Sequence, residues 1–302
     1  MPDRPTICCA GEVMLEFAPT GEPDCYRRGI AGDTFNTAVY LSRLGCQVSY
    51  LTRLGADPAS THILAALRDE GIDDSLILAV PGRQPGLYLI DNDPTGERRF
   101  SYWRDHSPAR ETFDTPPSVP AGDAFYFSGI TLAVCRSGLH NLVEVLRGLR
   151  EAGTRIAFDP NYRPALWREP QQARSCYEAV LPLCDIVLPT LDDESQLWGI
   201  NDVGQCASFH RQFGVRELVI KAPDLSAHGF CDEQAAVCAA QPVSAVDTTG
   251  AGDAFNAGYL AGRLRGQVID AAIRAGQALA AAVVQHRGAI IARQAFEFEE
   301  YN

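Results

Sequence analysis

Apolar residues along this chain fall into short runs that alternate with longer stretches of helical period. The runs TICCA, QVSYLTRLG, AFYFSGI, RIAFDPN, DIVLP and ELVIKA have the length and the β-branched and aromatic content of strands buried on both faces. Between them, PASTHILAALRDEG and SGLHNLVEVLRGLREAG return apolar residues to one side of a helix. Asp57 ahead of Pro58 predicts an N-cap with proline at the first helical position, and Gly71 predicts the stop. Toward the end, AGDAFNAGYLAGRLRG and DAAIRAGQALAAAVVQHRG predict a pair of helices whose small residues allow close packing. Strand and helix in alternation point to βα units around a largely parallel sheet, an α/β fold.

Two regions break this rhythm, around residues 12–30 and 84–104. PGLYLIDNDPTGERRFSYWR reads as two strands joined by a turn at Asn92 to Gly96, with aromatic and charged residues mixed along them. Strands inside a parallel sheet are nearly continuous apolar runs, so these predict a separate small antiparallel lid. With no internal repeat or low-complexity linker, the expected organisation is one domain over residues 1–302 with the lid inserted into it.

At 302 residues the chain is long enough to bury a large core. Its formal charge of -12 disfavours nucleic acid or an anionic membrane as partner, because both require clustered Lys and Arg. An anionic small substrate then needs a local basic pocket. No stretch approaches a membrane span, and the start MPDRPTICCAGEV has no long apolar run. The expectation is a soluble, cytoplasmic protein. The ten cysteines are scattered without a CxxC pair and sit mostly in apolar segments, which predicts reduced, buried thiols. The six histidines show no HExxH, and no cysteine partner is expected near them, so no metal site is read from them.

The chemistry concentrates in TTGAGDAFNAGYL. Gly250 and Gly252 allow the amides of residues 250–252 to converge on one point, and a helix starting near Ala251 adds its partial positive end. This predicts an anion hole. The motif is neither the dinucleotide fingerprint, which follows a first strand, nor GxxxxGK[ST], since no lysine follows. Asp253 inside such a cradle makes sense if the incoming group is a hydroxyl. The carboxylate takes the hydroxyl proton as a phosphoryl group arrives, and the amides hold the charge on the transferring oxygens. That role requires an ionised Asp253, which the helix N-terminus favours.

The order Asp-Thr-Thr-Gly-Ala-Gly-Asp at 247–253 resembles the C-terminal signature of the ribokinase-like (PfkB) carbohydrate kinases. Their other signature, a glycine-rich segment before an early helix, is matched by GIAGDTFNTAVYLSRLG, with Ala31 in place of one glycine. FDPNYRPALW, TLDDESQLWG and VVQHRGAII add to the likeness, which covers nearly the whole chain and is strongest to the members acting on 2-keto-3-deoxy sugar acids. The resemblance implies a three-layer ribokinase-like sandwich with a mostly parallel central sheet and a β lid. It implies ATP-dependent phosphorylation of a terminal (C6) hydroxyl, with ATP and Mg2+ as cofactors, a monovalent cation such as K+, and a homodimer formed through the lid. The alternatives are a neutral-sugar kinase such as a fructokinase, and a non-catalytic sensor of sugar acid or nucleotide.

The family pattern distributes roles over residues of this chain. Gly32, Asp33 and Asn36 match the segment that holds sugar hydroxyls, and Tyr88 matches a further substrate contact. Tyr102 and Arg104 share a face by the strand period, and Arg104 suits a substrate carboxylate. Asn161 and Arg163 lie in a βα loop, where the matching arginine reaches both substrate and the transferred phosphate. Lys221, Thr248, Gly250 and Gly252 fall on the nucleotide side with Asn161, and the adenine slot is expected near Ala275 and Ala278. Where relatives carry Asn-x-x-Glu for magnesium, this chain has Thr190 and Asp193, with Glu194 next to it. Pro223 stands where relatives have glycine soon after the lysine, which predicts a different loop path there.

Overall fold

A computed structural model describes residues 4–22, 24–92, 98–232 and 234–298, so the turn expected at 92–96 falls almost wholly outside the described residues. In chain order the elements are β1 (Thr6–Ala10), β2 (Met14–Pro19), β3 (Tyr26–Ala31), α1 (Asp33–Arg43), β4 (Gln47–Gly55), α2 (Pro58–Asp69), β5 (Ile77–Val80), β6 (Leu87–Asn92), β7 (Arg98–Trp103), β8 (Ala124–Ser128) and α3 (Gly129–Val134). They continue with α4 (Leu139–Glu151), β9 (Arg155–Asp159), α5 (Pro170–Val180), β10 (Ile186–Val187), α6 (Leu191–Trp198), α7 (Val203–Gln212), β11 (Glu217–Lys221), β12 (Ser226–Cys231), β13 (Gln234–Ala239), α8 (Ala251–Leu264) and α9 (Ile269–Val284).

The large sheet has the order β13-β12-β11-β10-β9-β8-β1-β4-β5. From β11 to β5 every pairing is parallel, and β12 and β13 add an antiparallel edge. Strand alternation splits the core into two. Ile7 and Cys9 of β1 face one way with Tyr126 of β8, against Val39 of α1 and Leu260 of α8. Cys8 and Ala10 face the other way with Phe125, Phe127 and Phe158, against Leu142 of α4 and Tyr177 of α5. The sheet is therefore sandwiched, with α1, α2, α8 and α9 on one face and α3, α4, α5 and α7 on the other. All ten cysteines are free, and Cys25 alone of them is exposed.

Local chemistry sets the boundaries. The Asp57 side chain accepts from Ser60 N–H at 2.9 Å, capping α2 with Pro58 in its first turn as the sequence predicts. The AFYFSGI run ends as a strand at Ser128, because Ser128 and Thr131 form a capping box that turns Gly129 and Ile130 into helix. The expected close pair α8 and α9 crosses at Gly258 and Gly276. A Cβ on Gly258 would stand 2.8 Å from the Ala275 carbonyl oxygen, and one on Gly276 would stand 2.7 Å from that of Phe255.

The lid is a separate sheet of order β3-β2-β6-β7. It consists of two antiparallel hairpins whose inner strands, β2 and β6, pair in parallel, Leu15 opposite Leu87 and Phe17 opposite Leu89. Both hairpins are antiparallel as the sequence predicts, and the one parallel pairing, β2 with β6, has a topological reason. The chain passes from β3 to β6 through α1, β4, α2 and β5, and a long crossover permits parallel pairing where a tight turn does not.

Candidate active site

From β1 the chain builds outward to β4 and β5 on one side, and β8 to β11 build outward on the other. The carboxyl ends of β1 and β8 thus mark a topological switch point, the crevice where open α/β sheets take ligands. Glu12 follows β1, Asp159 ends β9 with Asn161 just beyond, Thr190 follows β10, and Lys221 ends β11. These residues, the start of α8 and the inner face of the lid enclose a cavity of about 560 Å3. It brings together Gly32, Asp33, Asn36, Tyr88, Tyr102, Arg104, Asn161, Arg163, Asp193, Lys221, Thr248 and residues 250–253.

The cradle at α8 is narrower than the sequence suggests. Gly250 is left-handed at φ 77°, and a Cβ there would stand 2.8 Å from Cα of Ala289. The Ala251 N–H is turned to the Thr248 carbonyl at 3.3 Å, so it is already engaged and leaves the expected anion hole. Gly252 and Asp253 carry first-turn amides with no backbone acceptor among the described residues. A Cβ on Gly252 would meet nothing within 4 Å, so the space in front of the helix N-terminus is open to a bound group.

Asp253 accepts from the Asn36 side-chain amide at 2.8 Å. Asp33 accepts from Asn161 at 2.9 Å, so Asn161 stands with the substrate-side group rather than free for a nucleotide. Burial first, and then the neighbouring Asp33, push the Asp253 carboxyl up to about 8, against the Asn36 bond and Lys221. Asp33 is raised as well, chiefly by burial. This corrects the expectation of a fully ionised Asp253. The helix N-terminus is outweighed by a recess that gathers three carboxylates, Asp33, Asp159 and Asp253.

The lid residues are more engaged than expected. Arg104 pairs through Nη2 with Glu12, and the pair is buried, with side chains 9 % and 1 % exposed. Arg104 therefore meets the cavity already holding a carboxylate. Its guanidinium lies 5.7 Å from the Tyr102 ring centroid. Tyr88 stacks obliquely on Tyr102 at 5.5 Å and donates its hydroxyl to Glu16. Arg163 stands 3.5 Å from Asp193. Lys221 donates to Asn256 at 2.9 Å, and Asn256 donates to Asp159 at 2.8 Å and to the Tyr126 hydroxyl at 3.1 Å. Glu12, Asp159 and Asn256 are absent from the sequence-derived set. Glu12 and Asp159 had a readable signal, a carboxylate at the end of a predicted strand. Asn256 lies three residues beyond Asp253, on the same face of α8.

A second cleft of about 270 Å3 adjoins the first and shares Thr190, Lys221, Ala251 and Gly252 with it. It is mostly apolar, bounded by Leu225, Val243 and Phe255 and by Gln277, Ala280, Ala281 and Val284 of α9. The expected Ala275 and Ala278 are not among its walls. Ala275 packs on Gly258 and Ala278 faces solvent, because the lining face of α9 is one helical phase away. The segment around Pro223 is a tight β11–β12 turn, closed by Ala222 N–H to the Ser226 carbonyl at 2.9 Å, with Leu225 left-handed at φ 64°. Thr190 caps α6 by accepting from Asp193 N–H at 3.1 Å, which presents Asp193 to the cavity. Glu194 faces the opposite way, into contact with His210 and Cys206. The expectation that no cysteine accompanies a histidine is corrected, since Cys206 and His210 stand one turn apart on α7.

The model of the pfkB family of carbohydrate kinases matches residues 4–295, and the chain belongs to that family. Among its relatives, the 2-dehydro-3-deoxygluconokinase of Dickeya dadantii (strain 3937) is 38% identical over 304 residues, covering 96% of this chain and 97% of that protein. The structure of a 2-dehydro-3-deoxygluconokinase from Thermotoga maritima superposes with a TM-score of 0.86 over 99% of this chain and 97% of that one, at 20% identity. Fructokinase from Vibrio cholerae O395, in its fructose, ADP and calcium ion bound form, has the same fold at a TM-score of 0.83 and 23% identity, covering 96% of each chain. Among the described residues no helix is long and apolar enough to cross a membrane.

Proposed function

We propose that this chain transfers the γ-phosphoryl group of ATP to the C6 hydroxyl of 2-keto-3-deoxygluconate (2-dehydro-3-deoxy-D-gluconate), giving the 6-phosphate and ADP. The observation that carries this reading is the meeting of two clefts at Gly252. The polar cavity holds Asp253, Asp33 and Arg104, the apolar slot suits a flat base, and the first turn of α8 forms their common wall. A phosphoryl group passing between them crosses the open space in front of the Gly252 and Asp253 amides.

In this reading Asp253 takes the C6 hydroxyl proton, and Asn36 fixes the carboxylate that receives it. The Gly252 and Asp253 amides and Arg163 hold charge on the transferring oxygens. Asp33, with Gly32, binds sugar hydroxyls while Asn161 orients it. Arg104, steadied by Glu12, takes the substrate carboxylate with Tyr102 and Tyr88 beside it. Lys221 and Thr248 approach the nucleotide phosphates, and closure of the lid excludes water as acceptor.

The oxygen donors Asp193, Asp159 and Thr190 around one wall fit a hard cation such as Mg2+. When bound, Mg2+ neutralises phosphate charge. K+ is the monovalent ion of the same reading. The exposed Trp103, on the face of the outer lid strand away from the cavity, supports pairing of two copies through the lid.

The test is ADP release with MgATP and 2-keto-3-deoxygluconate, with the product's phosphate located by NMR. A 6-phosphate formed at the rate of ADP release is the expected result. Binding of the sugar acid without turnover contradicts the kinase reading and favours a sensor.

A further inference from the structure

On the far side of α6 from the cleft lie three groups that phosphoryl transfer does not use. Glu194 of α6 and Cys206 and His210 of α7 place one ligand atom each within 4.8 Å of one another. All three are buried, Cys206 completely and the other two at 1 % exposure. Cys206 and His210 are four residues apart and so share a helix face. Glu194 reaches them from the first turn of α6.

The polar atoms here are in contact without being bonded. His210 Nε2 and Glu194 Oε2 are 3.2 Å apart, at ion-pair distance but not aligned as a hydrogen bond, and Nδ1 makes no hydrogen bond. Buried polar atoms left this way are costly, and alignment on one another as hydrogen bonds is the simpler way to satisfy them. Donor atoms that crowd at such distances while failing to align on one another are arranged as atoms around a shared cation are.

We propose that Glu194, Cys206 and His210 form a structural Zn2+ site, separate from the catalytic cleft and independent of the kinase reading. A sulfur, an imidazole nitrogen and a carboxylate oxygen form a borderline-soft donor set that suits Zn2+ and disfavours Mg2+ or Ca2+. On binding, the Cys206 thiol proton leaves to solvent. The thiolate and carboxylate then cancel the charge of the ion, and the buried site is neutral. Among the described residues no fourth His, Cys, Asp or Glu joins the group, which leaves the fourth position to water. The site clamps α6 to α7 one residue after Asp193, so it also holds the turn that presents Thr190 and Asp193 to the cleft.

Cobalt substitution tests this on the whole protein. After chelation and dialysis, Co2+ should bind at one per chain with a strong thiolate-to-cobalt charge-transfer band, and Zn2+ should displace that band and raise the melting temperature. Co2+ held by oxygen donors in the catalytic cleft gives no such band. Cys206→Ala should remove the band and weaken Zn2+ binding by more than about tenfold, and Cys25→Ser, at the exposed thiol, should leave both unchanged. His210→Gln is the second variant and should also remove the tetrahedral signature. A wild-type protein that takes up Co2+ without the thiolate band, or one whose band survives Cys206→Ala, overturns the proposal. Should both variants fail to fold, the wild-type spectrum with the Cys25→Ser control still decides.

Discussion

The Asn36 side-chain amide donates to Oδ2 of Asp253 at 2.8 Å, joining the start of α1 to the start of α8 across the floor of the cleft. The bond crosses from the segment assigned to sugar hydroxyls to the one assigned to the transferring phosphate. It fixes one carboxylate oxygen and leaves the other for the acceptor hydroxyl. Four predictions rest on the geometry around it.

Asp253→Asn keeps the size and a hydrogen-bonding side chain but cannot take a proton. Turnover should fall at least about a hundredfold, with KM for sugar acid and ATP changed only a few-fold. Steady-state kinetics on a variant with an unaltered melting curve checks this, and a nearly unchanged turnover removes Asp253 as the base.

The pH dependence follows from the carboxylate cluster. Asp253 works deprotonated and is pushed up to about 8 by burial and Asp33. The kcat/KM of the free enzyme should therefore rise with pH toward that value and be lost as pH falls through it. Asp33→Asn removes the neighbouring negative charge and should move this acid limb to lower pH, besides raising KM for the sugar acid. Stability runs the other way. An unfolded Asp253 ionises near the ordinary value of 3.8, so the folded state binds the extra proton and stability should decline as pH rises between the two. Asp253→Asn should flatten that part of the melting-temperature profile.

Glu12 and Arg104 form a buried pair, and removing one partner strands the other. Arg104→Ala should lower stability by about 3–5 kcal/mol and raise KM for the sugar acid while leaving that for fructose nearly unchanged. Glu12→Gln combined with Arg104→Ala should recover much of the stability and none of the acid selectivity. Thermal melts with KM values for both sugars separate the two effects. An equal rise for acid and neutral sugar contradicts the carboxylate role of Arg104.

The two glycines of the α8 cradle should fail differently. Gly250→Ala meets the Ala289 backbone and a left-handed φ, so it should unfold at lower temperature. Gly252→Ala meets no protein atom, so it should melt like the wild type and lose turnover because its methyl enters the phosphoryl path. Melting curves set beside kcat for both variants make the comparison, and full activity in Gly252→Ala removes the path from this position.

Much of this architecture was legible in the chain, and the gaps have physical causes. Asp57 with Pro58 announces α2 through local capping chemistry, and the order of residues 247–253 announces the start of α8. Arg104 and Tyr102 follow from strand period, but the hold of Glu12 on Arg104 does not, because it depends on how β1 and the lid meet in space. Ala275 and Ala278 miss the slot because IDAAIRAGQALAAAVV is small and apolar nearly all round, so its composition does not fix a phase. The raised Asp253 carboxyl is also invisible in sequence, since Asp33 and Asp159 reach it from strand ends far apart in the chain. Cys206 and His210 show their one-turn spacing in sequence, whereas Glu194 joins them only through the packing of α6 on α7.

The cavity at α8 is expected to phosphorylate a sugar acid in preference to a neutral sugar. The most direct measurement is the ratio of kcat/KM for 2-keto-3-deoxygluconate and fructose, with both present in one reaction at saturating MgATP and both products counted. The acid phosphate should dominate in the wild type, and Arg104→Ala should bring the two products close to parity. Fructose phosphate as the main product of the wild type would contradict this preference.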